Sequence, residues 1–231
     1  MNRTLSVVVP TRNEASNVKP LVHGVSHALR GSDWELIFVD DSDDGTPEII
    51  AGLAHPRVRL LHREGERRRG GLAGAVCDGF AAAAGDALAV MDGDLQHDPA
   101  MLAALRDPLA EADIVIASRY AAGDGAEGLD GPRRVFVSRV SRMAARALFP
   151  RVHSVHDPLA GFFACRRSVV AGAHLRPVGF KILLELLVRG SWRSVREVPY
   201  SMSPRSSGAS NASWREGLRF GTHLLRLRLT T

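Results

Sequence analysis

Residues 87–99 read ALAVMDGDLQHDP, a short apolar run that ends in a cluster of carboxylates. A run of this kind without polar residues is typical of a parallel strand that is buried on both faces. Two similar runs are LSVVVP at 5–10, which ends in a proline, and WELIFV at 34–39, which ends at an acidic cluster. The sequence therefore predicts several buried strands whose carboxyl ends carry polar side chains.

Helical periodicity separates these strands over the first 118 residues. Between the first two runs, apolar residues recur at spacings of three and four, namely Val18, Leu21, Val22, Val25 and Leu29. We predict helices over 15–30, 47–54, 71–84 and 98–110, and further strands over 58–62 and 113–118. This alternation predicts an α/β fold with a doubly wound, mostly parallel sheet, in which ligands bind beyond the carboxyl ends of the strands.

The acidic cluster after the fourth predicted strand is a candidate metal site. Asp92 and Asp94 are two residues apart, Gly93 between them permits close approach of the backbone, and Gln96 adds a neutral oxygen. Hard oxygen ligands with vacant positions suit Mg²⁺ or Mn²⁺ bound together with substrate phosphates. A solvated acidic turn is the alternative, and the position directly after a strand favours the metal site.

A second acidic cluster, DDSDDGTP at 40–47, follows the second predicted strand. The DGTP end of this cluster predicts a turn and the N-terminus of a helix. Asp40 and Asp41, at the tip of the strand, are predicted to be free to hold a ribose hydroxyl or a base edge. A basic, Gly-rich loop over 63–74 could cradle phosphate before the next helix.

The formal charge of +5 is unevenly distributed along the 231 residues. Residues 1–118 hold 11 Lys+Arg against 18 Asp+Glu, a balance of −7, whereas residues 119–231 hold 19 against 7, a balance of +12. All but Lys19 and Lys181 of the basic residues are arginines, which suit bidentate recognition of phosphate. Nucleic acid, an anionic membrane surface and a phosphorylated substrate are the permitted partners. Nucleic acid is the least favoured, because the arginines are not interleaved with aromatic residues.

The remaining composition indicates a globular domain. Hydrophobic residues make up 45% of the chain, and the two cysteines are far apart, which favours buried, reduced thiols. We recognise no secretory leader at the start of the sequence. No run reaches the roughly 18 to 20 apolar residues that a membrane span needs, so the chain is not expected to cross a bilayer.

Beyond residue 120 the pattern changes. Residues 121–132 predict a loop, and 133–149 predict a basic amphipathic helix in which Arg139, Arg142 and Arg146 share one face. A helix at 180–188, a Ser/Pro/Gly loop at 201–213 and a second basic amphipathic segment at 214–229 follow. A basic amphipathic helix either packs its apolar side on the core with its arginines in solvent, or lies on a membrane surface.

These motifs, taken in order, resemble a known enzyme family. PTRNE at 10–14, DDSDDGT and MDGDLQHDP are similar to the family-2 inverting glycosyltransferases with the GT-A fold. Later blocks resemble the dolichol-phosphate (polyprenol-phosphate) mannosyltransferases, namely SRY at 118–120, DPLAGFF at 157–163, GFKILLE at 179–185, EVPY at 197–200 and RSSG at 205–208. The resemblance extends from residue 5 to residue 208.

The resemblance implies a role for each matching residue. A divalent cation, Mg²⁺ or Mn²⁺, is implied at Asp92, Asp94 and Gln96, and an acceptor phosphate at Arg119, Arg134 and Ser138. Catalysis is implied for Asp94, Arg119 and Arg205. Contacts with the donor are implied for Pro10, Arg12, Glu14, Val39, Asp41, Asp92, Gly93, Asp94, Gln96, Lys181 and Arg205. Two positions depart from the family pattern, because Arg12 replaces a frequent aromatic residue and Asn211 stands where lysine is usual.

The implied activity is the transfer of mannose from GDP-mannose to a polyprenyl phosphate, with inversion, on the cytoplasmic face of a membrane. A phosphate monoester, with a second pKa of about 6, is largely dianionic at neutral pH, so this acceptor needs no strong general base. Residues 1–210 are expected to form the catalytic domain. Residues 211–231 are expected to form a membrane-interface helix or the start of membrane spans, unless a partner subunit supplies the anchor. UDP-glucose or another donor, and a non-catalytic nucleotide-sugar-binding or membrane-recruitment module, are the alternatives.

Overall fold

The computed structural model describes residues 4–121, 132–176, 181–201 and 214–230, without the side chains of 132–135 and 214–219. Its first half alternates strands and helices in the predicted order. The elements are β1 (Leu5–Thr11), α1 (Val18–Ala28), β2 (Trp34–Asp40), α2 (Thr46–Gly52), β3 (Val58–His62), α3 (Gly71–Ala82), β4 (Ala87–Val90), α4 (Met101–Arg106) and β5 (Ile114–Ser118). Every element predicted over residues 5–118 is present, with ends that differ by a few residues.

The second half adds four helices and two strands to the described chain. They are α5 (Pro132–Leu148), β6 (Phe163–Arg166), α6 (Arg167–Val170), α7 (Ile182–Arg189), β7 (Val195–Pro199) and α8 (Trp214–Leu229). The three longer helices confirm the helices predicted over 133–149, 180–188 and 214–229. Strands β6 and β7 are not among the predicted elements.

The seven strands form one mixed sheet in the order β3-β2-β1-β4-β6-β5-β7. Strand β6 pairs antiparallel with both β4 and β5, and the other neighbouring pairs are parallel. Phe163 at the start of β6 lies between Val90 and Ile116. This confirms the doubly wound, mostly parallel sheet and brings the segment that precedes β6 to the carboxyl edge of the parallel strands.

Both faces of the sheet are covered, as the apolar runs predict. Along β1, Val7 and Val9 pack on the side of α1, whereas Val8 packs on the side of α3. Helix α3 lies very close to the sheet at Gly79, where an added Cβ would come within 2.3 Å of Val8 Cγ1. Packing on both faces therefore fixes the central strands and the loops that follow their carboxyl ends.

The two cysteines are free, as predicted. Cys165 is buried in β6 and Cys77 is half-buried in α3. Burial raises the pKa of both thiols to about 12, so neither is a reactive thiolate at neutral pH.

Helix α5 packs on the core through Ala144 and Ala145 but turns its larger described apolar residues to solvent. Phe136 is 68% exposed and Met143 is 64% exposed, and Val137 and Val140 are exposed beside them. Arg142 and Arg146 contact the domain instead, whereas Arg139 is exposed. Arg142 stacks on the ring of Tyr120 at 4.2 Å, and Arg146 donates to the carbonyl oxygen of His153 at 2.9 and 2.7 Å. The interpretation in which the apolar side packs on the core with its arginines in solvent is therefore wrong for this helix.

Candidate functional site

The carboxyl ends of β1, β2, β4 and β5 meet at one edge of the sheet and border a cleft. A cavity of about 130 Å³ lies there between the end of β4 and the end of β5. Its lining includes Asp92, His97, Arg119, Gly161, Lys181 and Tyr200. Several residues predicted as site residues from different parts of the sequence thus border the same cavity.

Asp40 does not have the predicted free carboxylate. It is fully buried, and its oxygens accept hydrogen bonds from Thr11 Oγ1 at 2.8 Å and Ser42 Oγ at 2.5 Å. His62 Nδ1 lies 2.8 Å from its second oxygen. Asp40 therefore fixes the ends of three neighbouring strands, and the prediction that it holds a ribose hydroxyl is wrong in this arrangement.

Asp41 is oriented by an arginine that sequence reasoning placed only within a basic loop. Arg63, just after β3, donates to both oxygens of Asp41, from Nε at 2.8 Å and from Nη2 at 2.6 Å. Its Nη1 donates to Asp78 of α3 at 2.9 Å. Burial of Arg63 opposes its charge, but hydrogen bonds to the two carboxylates raise its pKa. The sequence signal for Arg63 was its position directly after the strand predicted over 58–62, where site residues are expected.

The loop after β1 is locked onto the loop after β2. The Asn13 N–H donates to Ser42 Oγ at 2.8 Å, and Asn13 Oδ1 accepts the N–H of Asp43 at 3.0 Å. Asn13 adopts a φ of +59°, in a region where asparagine is among the tolerated residues. The Glu14 N–H donates to Thr46 Oγ1 at 3.0 Å. These contacts fix the predicted donor residues of this loop beside Asp41.

The other predicted donor residues at these strand ends differ in exposure. Arg12 is exposed, with Nη2 4.0 Å from Asp43 Oδ2. Pro10 is half-buried at the end of β1. Val39, predicted among the donor contacts, is fully buried in the core, where it packs against α3.

The acidic loop (residues 92–97) follows β4 and holds the predicted metal ligands. Asp94 Oδ1 accepts the N–H of Gln96 at 3.1 Å, which closes a tight turn. Leu95 within this turn has a φ of +61°, a left-handed conformation that costs energy for a residue with a Cβ. At Gly93, an added Cβ would lie 2.9 Å from Thr11 Cγ2, so this position favours glycine. The backbone geometry brings Asp92, Asp94 and Gln96 into one short loop.

The chemistry of this loop fits a hard divalent cation. The Asp92 side chain is 35% exposed to the cleft, and Gly161 opposite it leaves room, since a Cβ there would lie 3.4 Å from Asp92 Oδ2. Within the described ranges, no three acidic, histidine or cysteine side chains converge on one point. Two carboxylates and an amide form an incomplete set that leaves positions for phosphate oxygens.

His97 is buried rather than solvated. It is 3% exposed, and its Nδ1 accepts the N–H of Asp92 at 2.9 Å. Burial lowers its pKa, so the ring is neutral at physiological pH. Tyr200 donates from Oη to the carbonyl oxygen of Gln96 at 2.7 Å. The spacing of histidines along the sequence gave no sign of this arrangement.

Arg119 is held at the cleft by Asp157. Nε of Arg119 donates to Asp157 Oδ2 at 2.9 Å, and Nη2 donates to Oδ1 at 3.2 Å. Although burial opposes its charge, the Asp157 carboxylate raises the pKa of Arg119. Lys181 Nζ donates to the carbonyl oxygen of Leu159 at 3.0 Å and lines the same cavity. Two cationic groups thus border the cavity that Asp92 also lines.

Ser138 contacts the end of β5 through a neighbouring tyrosine. The hydroxyl groups of Tyr120 and Ser138 are 2.9 Å apart, which joins α5 to the residue after Arg119. The side chain of Arg134 and all of Arg205 lie outside the described residues, as does Asn211. Their predicted roles stay predictions.

Comparison with known proteins gives a consistent family assignment. Residues 6–172 match the family described as Glycosyl transferase family 2. The chain is 37% identical over 227 residues to the dolichol-phosphate mannosyltransferase of Pyrococcus furiosus, covering 96% of this chain and 63% of that protein. It is 36% identical over 244 residues to the Saccharomyces cerevisiae protein of the same name, covering 98% and 88%. It is 34% identical over 228 residues to the polyprenol monophosphomannose synthase of Mycolicibacterium smegmatis, covering 91% and 81%.

Solved structures share the fold at lower identity. Glucosyl-3-phosphoglycerate synthase from Mycobacterium tuberculosis, in complex with Mn²⁺, UDP and phosphoglyceric acid, aligns with a TM-score of 0.71 and 22% identity. The alignment covers 99% of this chain and 78% of that one. This likeness supports the predicted GT-A fold.

Proposed function

The chain belongs to the family-2 glycosyltransferases and, within them, to the dolichol-phosphate mannosyltransferases, and from this we propose that it transfers mannose from GDP-mannose to the phosphate of a polyprenyl lipid. The transfer is a single displacement that inverts the anomeric carbon. A phosphate oxygen of the lipid forms the new bond, the bond from the sugar to the diphosphate breaks, and GDP leaves with the bonding electron pair. The products are polyprenyl phosphate mannose and GDP.

One observation carries this proposal, namely that a carboxylate and two cations line the same cavity. Asp92 lies just past β4, Arg119 just past β5, and Lys181 directly before α7. Carboxylates suit a metal-bound diphosphate, whereas a guanidinium and an ammonium suit a second anion. A nucleotide sugar and a lipid phosphate together fit this arrangement of charge.

The acidic loop would hold the divalent cation that the family uses. Asp92 and Asp94 offer carboxylate oxygens and Gln96 an amide oxygen, a set compatible with both Mg²⁺ and Mn²⁺. A bound cation would offset the negative charge that develops on the departing diphosphate.

The protein's own side chains position the two substrates. Asp41, held by Arg63, and the locked loop that carries Glu14 border the nucleoside side of the cleft. Arg119 uses Nε and Nη2 on Asp157, which leaves Nη1 to donate to the acceptor phosphate. Because that phosphate is already anionic near neutral pH, no residue has to remove a proton from the attacking oxygen.

The lipid acceptor requires the protein to act at a membrane surface. Within the described part of the chain, none of the helices combines the length and apolar content needed to cross a bilayer. Helix α5 offers the exposed side chains Phe136, Val137, Val140 and Met143 to an apolar environment. We place this face against the cytoplasmic surface of the membrane, in the reducing compartment that the two free thiols fit. An anchoring subunit or additional membrane spans stay a prediction.

A direct assay tests the proposal. The protein is incubated with GDP-mannose, a short polyprenyl phosphate and Mn²⁺ or Mg²⁺, and a mannosylated lipid is expected by mass spectrometry. UDP-glucose and UDP-N-acetylglucosamine in parallel reactions test the donor, and chelation of the metal is expected to stop the reaction. Product from UDP-glucose alone would contradict the choice of donor, and nucleotide-sugar binding without turnover would favour a non-catalytic binder.

A further inference from the structure

The first residue of the acidic loop, Asp92, is hydrogen-bonded to the side chain of its last residue, His97. The backbone N–H of Asp92 donates to Nδ1 of His97 at 2.9 Å, five residues along the chain. The second ring nitrogen, Nε2, lies 3.7 Å from Asp92 Oδ2. His97 therefore faces both the backbone and the carboxylate of Asp92, whereas Asp94 and Gln96 lie in the turn between the two ends.

Two aromatic side chains fix the ring of His97. Phe162 stacks on it with a centroid distance of 4.9 Å and an interplanar angle of 18°. Tyr200 meets it edge-on at 5.9 Å and also donates a hydrogen bond to the Gln96 carbonyl oxygen. Phe162 and Tyr200 are themselves perpendicular to each other at 5.8 Å. The ring therefore cannot turn without loss of contacts that also hold the loop.

The hydrogen bond from Asp92 decides where the ring proton lies. Because Nδ1 accepts the backbone N–H, it carries no proton, and the neutral ring carries its proton on Nε2. That N–H lies on the side of Asp92 Oδ2. Gly161 completes the arrangement, since an added Cβ would come within 3.4 Å of both Asp92 Oδ2 and His97 Cε1.

We infer that His97 is a positioning residue, which holds the acidic loop in its binding shape and presents the carboxylate of Asp92 to the divalent cation. His97 is not itself a ligand in this arrangement, because its Nδ1 is occupied by the Asp92 N–H. Side chains that orient a metal ligand commonly affect metal affinity by 10- to 100-fold. The inference rests on the proposed metal-binding role of Asp92.

Two substitutions separate positioning from packing. His97→Phe keeps an aromatic ring on Phe162 but removes the acceptor for the Asp92 N–H. His97→Asn loses the ring but places an amide oxygen close to the former Nδ1. We expect the dissociation constant of Mn²⁺, measured by calorimetry in the presence of GDP, to rise about 10- to 100-fold in His97→Phe. In His97→Asn we expect a rise of about threefold or less, because the acceptor is restored.

Either of two results for the Mn²⁺ affinities of these variants would overturn the inference. If His97→Phe binds Mn²⁺ as the wild type does, the ring acts only through packing, and if His97→Asn loses as much affinity as His97→Phe, the acceptor for the Asp92 N–H does not account for the affinity. Melting temperatures of both variants show which of them fold. If His97→Phe does not fold, ¹⁵N spectra of the wild-type imidazole decide the matter. We expect an unprotonated Nδ1 and a protonated Nε2, and the reverse tautomer excludes the proposed role.

Metal binding is measured here without lipid or sugar transfer. Failure of the wild type to make a mannosylated lipid would therefore count against the proposed function, and leave the comparison of Mn²⁺ affinities valid. Equal Mn²⁺ affinities in an active enzyme would count against the role of His97 alone.

Discussion

The guanidinium of Arg119 donates two hydrogen bonds to the buried carboxylate of Asp157, from Nε at 2.9 Å and from Nη2 at 3.2 Å. Arg119 follows β5 and Asp157 precedes β6, so the pair joins two neighbouring strand ends at the cleft. Glu197 of β7 fixes Asp157 in turn, because its carboxylate accepts the Asp157 N–H at 2.9 Å. Asp157, which precedes β6, and Glu197 of β7 thus together orient Arg119, the side chain proposed to bind the acceptor phosphate.

Removal of the charge on Asp157 is expected to weaken acceptor binding. In Asp157→Asn, one of the two guanidinium bonds loses its acceptor, and Arg119 is no longer held in one orientation. We expect the KM for polyprenyl phosphate to rise about tenfold, equivalent to about 1.4 kcal/mol, with the KM for GDP-mannose unchanged. Initial rates at varied lipid concentration measure this change. The free energy of unfolding is expected to fall by about 3 kcal/mol, because a buried ion pair is broken.

Asp113→Asn is the matched control at the other end of β5. Asp113 accepts the N–H groups of Arg193 at 2.8 Å and Ser194 at 3.1 Å, and lies 3.4 Å from Arg166. This variant is expected to lose stability while it keeps the wild-type KM for the lipid. An equal rise in KM for both variants would contradict an orienting role for Asp157.

Arg63 is expected to strengthen GDP binding by orienting Asp41. Lysine at this position cannot donate to both oxygens of Asp41 and also reach Asp78, so Arg63→Lys leaves Asp41 poorly oriented. We expect the dissociation constant of GDP to rise about tenfold, measured by calorimetry. Arg59→Lys is the control on β3, because Arg59 binds Glu35 at a more exposed position away from the cleft. GDP affinity unchanged by both substitutions would remove Arg63 from the site.

Asp94 in the acidic loop and Asp98 just after it allow a comparison of two carboxylates four residues apart. Asp94→Asn is expected to lower kcat about 100-fold and to weaken Mn²⁺ binding, because one of the two carboxylates proposed as metal ligands is neutralised. Asp98 is exposed and caps the turn before α4 by accepting the N–H of Ala100 at 2.9 Å. Asp98→Asn is therefore expected to keep nearly full activity. Rates measured at saturating Mn²⁺ and at limiting Mn²⁺ separate metal binding from catalysis, and full activity of Asp94→Asn would refute the ligand role.

The apolar face of α5 is expected to bind lipid. Burial of a Phe or Met side chain contributes about 1.5 to 3 kcal/mol, so the double variant Phe136→Asp/Met143→Asp should lower partitioning onto anionic vesicles by more than about tenfold. Ala51→Asp adds a carboxylate to an exposed position of α2 and serves as the charge control. Co-sedimentation with the vesicles measures the change. Equal partitioning of the two variants would show that α5 is not the contact surface.

Acidification is expected to destabilise the packing of α8. His223 is 5% exposed, and burial lowers its pKa, while Glu185 opposes this and Arg189 and Arg226 add to it. A histidine with a lowered folded-state pKa binds protons more readily in the unfolded chain, so the free energy of unfolding rises with pH. This contribution is complete above the unfolded pKa of about 6.5 and is lost as pH falls from there toward the folded pKa.

Urea unfolding at pH 7.5 and pH 5.5 tests this effect. The loss of stability between the two pH values is expected to be smaller in His223→Leu than in the wild type. His23→Leu removes an imidazole from the exposed side of α1 and is the control. A pH dependence in His223→Leu that equals the wild-type value would contradict the prediction.

The sequence predicted the elements whose signals are local. Strands β1, β2 and β4 are continuous apolar runs, and the helices between them carry their own periodicity, so a short window contains the information. Strand β6 is four residues long, and its place between β4 and β5 depends on pairing with segments many residues away. Strand β7 reads VREVP, in which two adjacent charged residues interrupt the apolar ones, and this is a weak signal for a strand whose described partner is β5.

In the candidate site too, local sequence motifs were predictable, whereas contacts between distant segments were not. Asp92 and Asp94 were predicted because the metal motif is contiguous. The partners of Arg63 lie 22 and 15 residues away, just after β2 and on α3, and only the packing of these elements brings the charges together. Asp40 was predicted to be free because its partners Thr11 and His62 come from neighbouring strands. Spacing along the chain does not reveal which of two adjacent carboxylates points outward.

Strand β6 also has a consequence for the size of the sugar. It separates the end of β4, where the nucleotide diphosphate is proposed to bind, from the end of β5, where Arg119 is proposed to bind the lipid phosphate. Neighbouring strands are about 4.8 Å apart, so the two ends are held at a separation of roughly 10 Å. Backbone hydrogen bonding sets this gap, and side-chain substitutions do not alter it. The separation of the two strand ends therefore belongs to the backbone, and a choice between hexoses of similar size is left to the side chains that line the cleft.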